Sequence, residues 1–439
     1  MSDWIRHAVW WQVYPLGALG AERDALPPGT PAVPRLKELS DWLPHLIGLG
    51  CNGLALGPVF ESSTHGNDTV DHFRVDRRLG TEEDLVQLIE ACHAAGIRVL
   101  LDGVFNHVGR DFPQFREVLQ HGPGAPAAAW FDIDPAGSGP DGFGYRDFEG
   151  HSALVALDHA DPEVAEHVVR VMTYWCDRGV DAWRLDAAYA VPAAFWRTVL
   201  PRVRERHPDV WIVGEVLHGD YAGYVAESGI DSVTQYELWK AVWSALNDRN
   251  LFELAHALGR HGTMVRSFLP QTFVGNHDVT RLASRLDDPR HLGAALALLF
   301  ALPGVPTVYY GDEFGLRGVK EDRAGGDDAV RPPLPGSQDP EDGGAAALAD
   351  LHRLLIGVRR RHPWLAAARI EEPDELSNDV LAVRLTGEGN SLAAVLNVGD
   401  DAAEVDLRLA GGEVVAGGGT LDGAHLRVPG HDYTLVAGS

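Results

Sequence analysis

Four acidic side chains stand at or just beyond the ends of short apolar runs in this 439-residue chain: Asp102, Asp186, Glu215 and Asp278. His107 and His277 lie beside two of them, and Arg184 precedes Asp186 by two residues, on the same face of an extended strand. An isolated acid after a strand is ordinarily a helix cap or a solvated loop residue. Recurrence at one end of successive strands is harder to ascribe to capping. Paired carboxyl groups about 5 Å apart can cleave an acetal with retention, one attacking the anomeric carbon and the other protonating the leaving oxygen. On that chemistry Asp186, with Arg184 to keep it ionised, is the expected nucleophile. Glu215, raised in pKa by its acidic neighbours, is the expected acid/base. Asp278 would stabilise positive charge on the ring, while His107 and His277 would donate hydrogen bonds to sugar hydroxyls.

Such a constellation needs a frame that brings distant strand ends together. Short apolar runs alternate with amphipathic segments from residue 8 to about 310, the pattern of repeated βα units around a parallel sheet. Candidate strands occupy 8–14, 53–56, 98–101, 180–185, 211–214, 232–235, 272–275 and 307–310. The expected fold is therefore an α/β (β/α)₈ TIM barrel, whose strands present catalytic groups at their C-terminal ends. Leu85, Leu88, Ile89 and Cys92 mark one helix, with Thr81 and Asp84 as a capping box. Asp161 and Pro162 open another, striped by Val164, Val168, Val171 and Trp175. A long Gly-, Pro- and aromatic-rich connection after the third strand predicts an inserted B subdomain over 108–152. After 366 the period falls to two, as in Leu381, Val383 and Leu385, predicting a C-terminal antiparallel β-domain over 366–439. The barrel would then comprise 1–107 and 153–365. The acidic stretch 320–344 reads as a surface loop.

A net charge of −26 sets the protein against nucleic acid or an anionic membrane as partner and leaves a neutral ligand such as a sugar. No apolar stretch approaches the roughly 20 residues that span a bilayer. Cys51, Cys92 and Cys176 are too scattered for a disulfide framework or metal site. The N-terminus lacks a basic region followed by an apolar run, so a cytoplasmic location is expected. No cofactor is indicated, and the oligomeric state stays open.

Taken together, these segments resemble glycoside hydrolase family 13, the α-amylase family. The resemblance rests on 102–107, 179–186, 213–216 and 273–278, in the family's order, with support from 9–15, 57–62 and 304–313. It implies Asp186 as nucleophile, Glu215 as acid/base and Asp278 as transition-state stabiliser. Arg184, His107 and His277 would line the sugar subsite, and Asp102 would support the arginine. It also implies an α-glucan or maltooligosaccharide substrate.

The chain departs from the family pattern in three places. His65-Gly66-Asn67-Asp68 stands where an aromatic platform is usual, so Tyr14 or Phe105 would have to supply that face. Leu154-Val155-Ala156-Leu157 lacks a carboxylate used for calcium, so no metal is expected at the usual place. The β-domain that precedes the barrel in many cyclomaltodextrinases is not expected. By resemblance Ala187, after the nucleophile, points to α-1,4 bonds, His218 to cyclomaltodextrinase-like members, and Arg281 with Asp68 to a pair gripping a terminal glucose; a structural ion pair is the other reading. A transglycosylase or isomerase with the same carboxylates, and a non-catalytic relative, remain alternatives.

Overall fold

The alternating apolar runs form eight parallel strands in the computed structural model, which describes residues 3–323, 325–336, 338, 342–409 and 411–438. They are β1 (Trp10–Val13), β2 (Gly53–Leu56), β3 (Arg98–Gly103), β4 (Ala182–Leu185), β5 (Trp211–Gly214), β6 (Ser232–Val233), β7 (Gln271–Phe273) and β8 (Val305–Tyr309). Their order is β6-β5-β4-β3-β2-β1-β8-β7, and a parallel bridge from Thr234 to Gln271 closes the ring. Strand β6 is shorter than its sequence suggests because the Gln235 side chain turns back to accept from Leu238 N and starts the next helix. The register pairs Arg184 with Asp102 and Leu185 with Gly214, so the residues that follow emerge together at one rim.

The opposite end of the barrel is apolar. Trp10 and Trp211 reach across it and stack with centroids 6.0 Å apart and planes at 14°, among Ala55, Leu100, Ala182 and Val305. Gly53 makes that possible, since a Cβ there would lie 2.4 Å from the Trp10 ring. Around the barrel, helix Glu82–Ala94 carries the capping box of Thr81 and Asp84, and helix Pro162–Cys176 is capped by Asp161 with Pro162 in its first turn. Val164, Val168, Val171 and Trp175 are all fully buried, as their spacing predicts.

Between β3 and β4, strand His107–Gly109 pairs antiparallel with His151–Ala156, and helix Pro113–His121 and several short elements lie between them. The boundary expected at 152 falls inside that second strand, because its pairing with His107–Gly109 carries the insertion's sheet on to Ala156. The described residues of the acidic stretch 320–344 are only partly a surface loop. Val330 is fully buried, Tyr309 and Tyr310 donate to the carbonyls of Val330 and Pro332, and Leu334 N donates to Ala18 O. This folds the segment onto the barrel mouth.

The C-terminal region forms two antiparallel sheets, one built on Val380–Gly387, Asn390–Asn397, Asp432–Gly438 and Glu413–Gly417, the other on Ala403–Asp406, His425–Val428 and Thr420–Asp422. Ala382, Val395, Val405, Leu426 and Val436 pack between them. Helix Leu292–Ala301 of the barrel packs against this domain through Asn390–Asn397 and Asp432–Gly438. Among the described residues, no helix is long and apolar enough to cross a membrane.

Candidate active site

The rim at the C-terminal ends of the strands is organised by one guanidinium. Arg184 Nη1 donates to both oxygens of Asp102 at 2.8 and 2.7 Å and to Asp186 Oδ1 at 3.0 Å. Its Nη2 lies 2.9 Å from Glu215 Oε1 and 3.7 Å from Asp278 Oδ2. The parallel register of β3, β4 and β5 produces this convergence, since neighbouring strands deliver Asp102, Arg184 with Asp186, and Glu215 at matching heights. A buried charge requires partners, and here one cation serves four carboxylates.

The carboxyl groups differ in their surroundings. Burial, together with the negative charges of Asp186 and Asp278, raises the Glu215 pKa from 4.5 to about 7 against the pull of Arg184 and the Ala187 N–H. Glu215 Oε2 accepts from Ala187 N at 2.8 Å, and Oε1 accepts from the Tyr236 hydroxyl at 3.3 Å, which in turn accepts from Asn276 Nδ2 at 2.9 Å. Burial also opposes ionisation of Asp278, but His277, Arg331 and Arg184 outweigh it and hold that carboxyl well below the usual range. Arg331 Nη2 contacts Asp278 Oδ1 at 2.8 Å, and His277 Nε2 contacts Oδ2 at 2.9 Å. Gln12 Nε2 sits 3.2 Å from His277 Nδ1. Since the amide nitrogen can only donate, the imidazole proton is on Nε2, facing Asp278.

His107 is buried and stacks on Phe148 with centroids 4.6 Å apart; its Nδ1 lies 3.1 Å from Asn106 Nδ2, and its Nε2, near the Asn67 backbone, makes no well-formed hydrogen bond among the described residues. A buried, unsatisfied ring nitrogen at the mouth of the site is available to a ligand. Tyr14 stacks on His277 at 5.4 Å, with the Arg331 guanidinium 4.2 Å above its ring centroid, and its hydroxyl donates to His65 O. The arrangement can hold one carboxyl protonated and another ionised against a common cation, which is what acid-assisted displacement at an acetal requires.

The family model described as Alpha amylase, catalytic domain, matches residues 33–341. The chain belongs to the α-amylase family. It is 31% identical over 431 residues to a cyclomaltodextrinase from Geobacillus thermopakistaniensis strain MAS1, covering 92% of this chain and 71% of the relative. It is 29% identical over 435 residues to a maltogenic alpha-amylase from Bacillus acidopullulyticus, covering 92% and 72%. Among solved structures, the cyclic alpha-maltosyl-(1→6)-maltose hydrolase from Arthrobacter globiformis superposes with a TM-score of 0.83 at 27% identity, covering 100% of both chains. The chain is thus a glycoside hydrolase by family.

Of the residues that the α-amylase-family resemblance singled out, Asp102, His107, Arg184, Asp186, Glu215, His277 and Asp278 converge on one site, with Tyr14 at its edge. Four others need correction or qualification. Arg281 does not pair with Asp68. It is fully buried, donates to Asp312 Oδ1 at 2.9 Å and to Tyr310 O at 2.8 Å, and lies 4.4 Å from the Tyr309 ring centroid. The turn after Asp278 directs it under β8 rather than towards the cleft. Asp68 accepts instead from Thr64 N and Oγ1 at 3.1 and 2.7 Å, yet it is near enough to Tyr14 and His107 to act on both electrostatically. His218 is exposed on the loop after β5. Phe105 cannot serve as a sugar platform, because it is buried against Trp183 and Trp196.

Sequence reasoning missed Arg331, Tyr236, Gln12 and Asn276. Gln12 lies in the segment 9–15 and Asn276 directly precedes His277, so both sat within matched motifs. Tyr236 is the first residue of the helix after β6. Arg331 comes from an aperiodic acidic loop, where nothing in the pattern announces a return to the site.

Proposed function

We propose that the protein is a retaining α-glycoside hydrolase that cleaves α-1,4-glucosidic bonds in maltooligosaccharides or cyclic glucans. The observation that carries this reading is the sharing of the Arg184 guanidinium by Asp186 at 3.0 Å and Glu215 at 2.9 Å, with the Glu215 pKa raised to about 7. In the first step an Asp186 oxygen attacks the anomeric carbon while Glu215 gives its proton to the glycosidic oxygen. The C–O bond breaks, the leaving sugar departs as an alcohol, and a glycosyl ester forms on Asp186. In the second step Glu215, now ionised, takes a proton from water, whose oxygen attacks the same carbon and releases Asp186.

The remaining groups take supporting roles. Asp278, held ionised, stabilises the positive charge that develops on the ring. His107 Nε2, without a hydrogen-bond partner among the described residues, reaches a sugar hydroxyl, while His277 orients the Asp278 carboxylate. Asp102 fixes Arg184 through two short bonds, so the guanidinium stays in register with both working carboxylates. Tyr14 with Asp68 borders the same subsite. The names of the relatives, cyclomaltodextrinase and maltogenic alpha-amylase, support small or cyclic α-glucans as the substrate class. Three buried, unpaired cysteines suit a reducing, cytoplasmic setting.

Product analysis tests the reading. Purified protein and its Asp186→Asn variant are incubated with maltotriose, panose, β-cyclodextrin and starch, and the products are separated by chromatography. Glucose or maltose from the short and cyclic substrates, absent with the variant, is the expected result. Accumulation of longer or rearranged oligosaccharides would assign a transferase, and equal inertness of both proteins would defeat the proposal.

A further inference from the structure

Away from the cleft, the seam between the barrel and the C-terminal domain holds a second cluster of ligating side chains. Asp288 and His291 precede helix Leu292–Ala301, and His431 sits at the turn that leads into strand Asp432–Gly438. His291 Nε2 lies 3.1 Å from His431 Nδ1, and His431 Nδ1 lies 3.7 Å from Asp288 Oδ2. One ligating atom from each of the three residues falls within 4.8 Å of the others. Bond lengths of 2.0–2.2 Å in a tetrahedral site imply ligand-to-ligand edges of about 3.4 Å, and the 3.1 and 3.7 Å edges bracket that value. His431 Nε2 is 2.8 Å from Asp400 Oδ1, the carboxylate–histidine arrangement that orients a metal-binding imidazole. The cluster opens on a cleft of about 230 Å³ that could admit an ion and a fourth, solvent ligand.

We propose that Asp288, His291 and His431 form a site for a zinc-class divalent cation that ties the barrel to the C-terminal β-domain. Two imidazoles and one carboxylate suit a borderline-soft first-row ion better than calcium or magnesium, which favour oxygen. Without metal, the close approach of the two ring nitrogens requires a proton between them. His431 donates a hydrogen bond from Nε2 to Asp400 and so faces His291 with a bare Nδ1, which puts the shared proton on His291 Nε2. On metal binding it moves to His291 Nδ1, which is buried and has no partner among the described residues, and both facing lone pairs become ligands. His431 holds a left-handed φ of 57°, unusual for a non-glycine residue, which turns its ring into the seam. Arg290 competes for the site, as it contacts both oxygens of Asp288 at 2.5–3.0 Å. Asp288 Oδ2 already faces both Arg290 Nε and Nη2, so a metal on that oxygen has to displace one of them, which lowers its affinity.

The test is calorimetric titration of chelator-treated, full-length protein with zinc sulfate, paired with thermal unfolding with and without the metal. We expect one saturable equivalent in the wild type and a metal-dependent rise in Tm. His431→Ala and His291→Ala should each weaken that binding at least 100-fold while glycosidase activity stays unchanged. Asp400→Asn, which leaves the three ligands in place, should weaken it roughly 10- to 100-fold, and Arg290→Ala should tighten it. Absence of a saturable equivalent in the wild type, or binding that persists undiminished in either histidine variant, overturns the proposal. If a histidine variant does not fold, insensitivity of zinc affinity to both Asp400→Asn and Arg290→Ala overturns it as well.

Discussion

The two ends of the barrel are made by the same strands and solve opposite problems. At one end Trp10 of β1 and Trp211 of β5 stack over an apolar plug. At the other, a few residues further along the chain, the segments continue into Tyr14 and Glu215, and four carboxylates crowd around Arg184. The plug gains from hydrophobic burial and dispersion, which act without direction and favour folding. The charged rim gains little net stability, because desolvation of buried ions offsets much of their attraction. Position along a strand thus separates what holds the protein together from what makes it reactive.

The sharpest break in that contrast would be an acid whose loss spares activity. Asp186→Asn should lower kcat/KM by roughly 10⁴- to 10⁶-fold, measured on a chromogenic α-glucoside, with an unfolding midpoint close to wild type. A residual rate within tenfold of wild type would remove Asp186 from the mechanism. At the plug the pattern should invert. Trp10→Ala should cost about 3–5 kcal/mol in denaturant unfolding, while the folded enzyme keeps its KM. A large KM change there would mean that the two ends are coupled.

A smaller effect tests the residue that periodicity did not reveal. Arg331→Ala removes the 2.8 Å partner of Asp278 Oδ1 and should reduce kcat/KM roughly 100-fold. The Asp278 carboxyl would lose one of the groups that depress its pKa, so the acidic limb of the pH profile should move to higher pH. An unchanged acidic limb would show that Arg331 only packs against Tyr14. The gentlest test concerns Glu215, whose pKa rises from 4.5 to about 7 on folding. Activity should fall as pH rises through about 7, as the acid loses its proton. Because the folded-state pKa is the higher one, Glu215's contribution to stability is complete below pH 4.5 and declines as pH climbs to about 7. Glu215→Gln should flatten that part of the stability–pH curve, and an unaltered slope would contradict the assigned shift.

The barrel was legible because its strands are continuous apolar runs and its helices carry apolar stripes, and both are periodic signals. The capping box of Thr81 with Asp84 and the N-cap Asp161 before Pro162 were readable for the same local reason, since a cap is written within four residues. Residues at strand ends inherit their position from the barrel, so the convergence of Asp102, Asp186 and Glu215 could be anticipated. Arg281 and Arg331 show where this reasoning stops. Arg281 lies three residues from Asp278 yet points to Asp312, whereas Arg331 lies 53 residues away and reaches it. A loop's path is set by tertiary contacts such as that of Tyr309 with Val330 O, and no spacing encodes them. The seam cluster was hidden likewise, with His291 and His431 separated by 140 positions.

Ala187 adopts a left-handed backbone, φ 45° and ψ 38°, immediately after Asp186, and its N–H holds Glu215. Side chains branched at Cβ enter that region only with strain, while glycine and asparagine enter it readily. Anyone building a library at this position therefore works with a skewed alphabet. Valine would bring bulk to the cleft and at the same time press on the peptide that clamps the proton donor. A loss of turnover should accompany such variants, and second-site changes that relax the turn are where to seek its recovery.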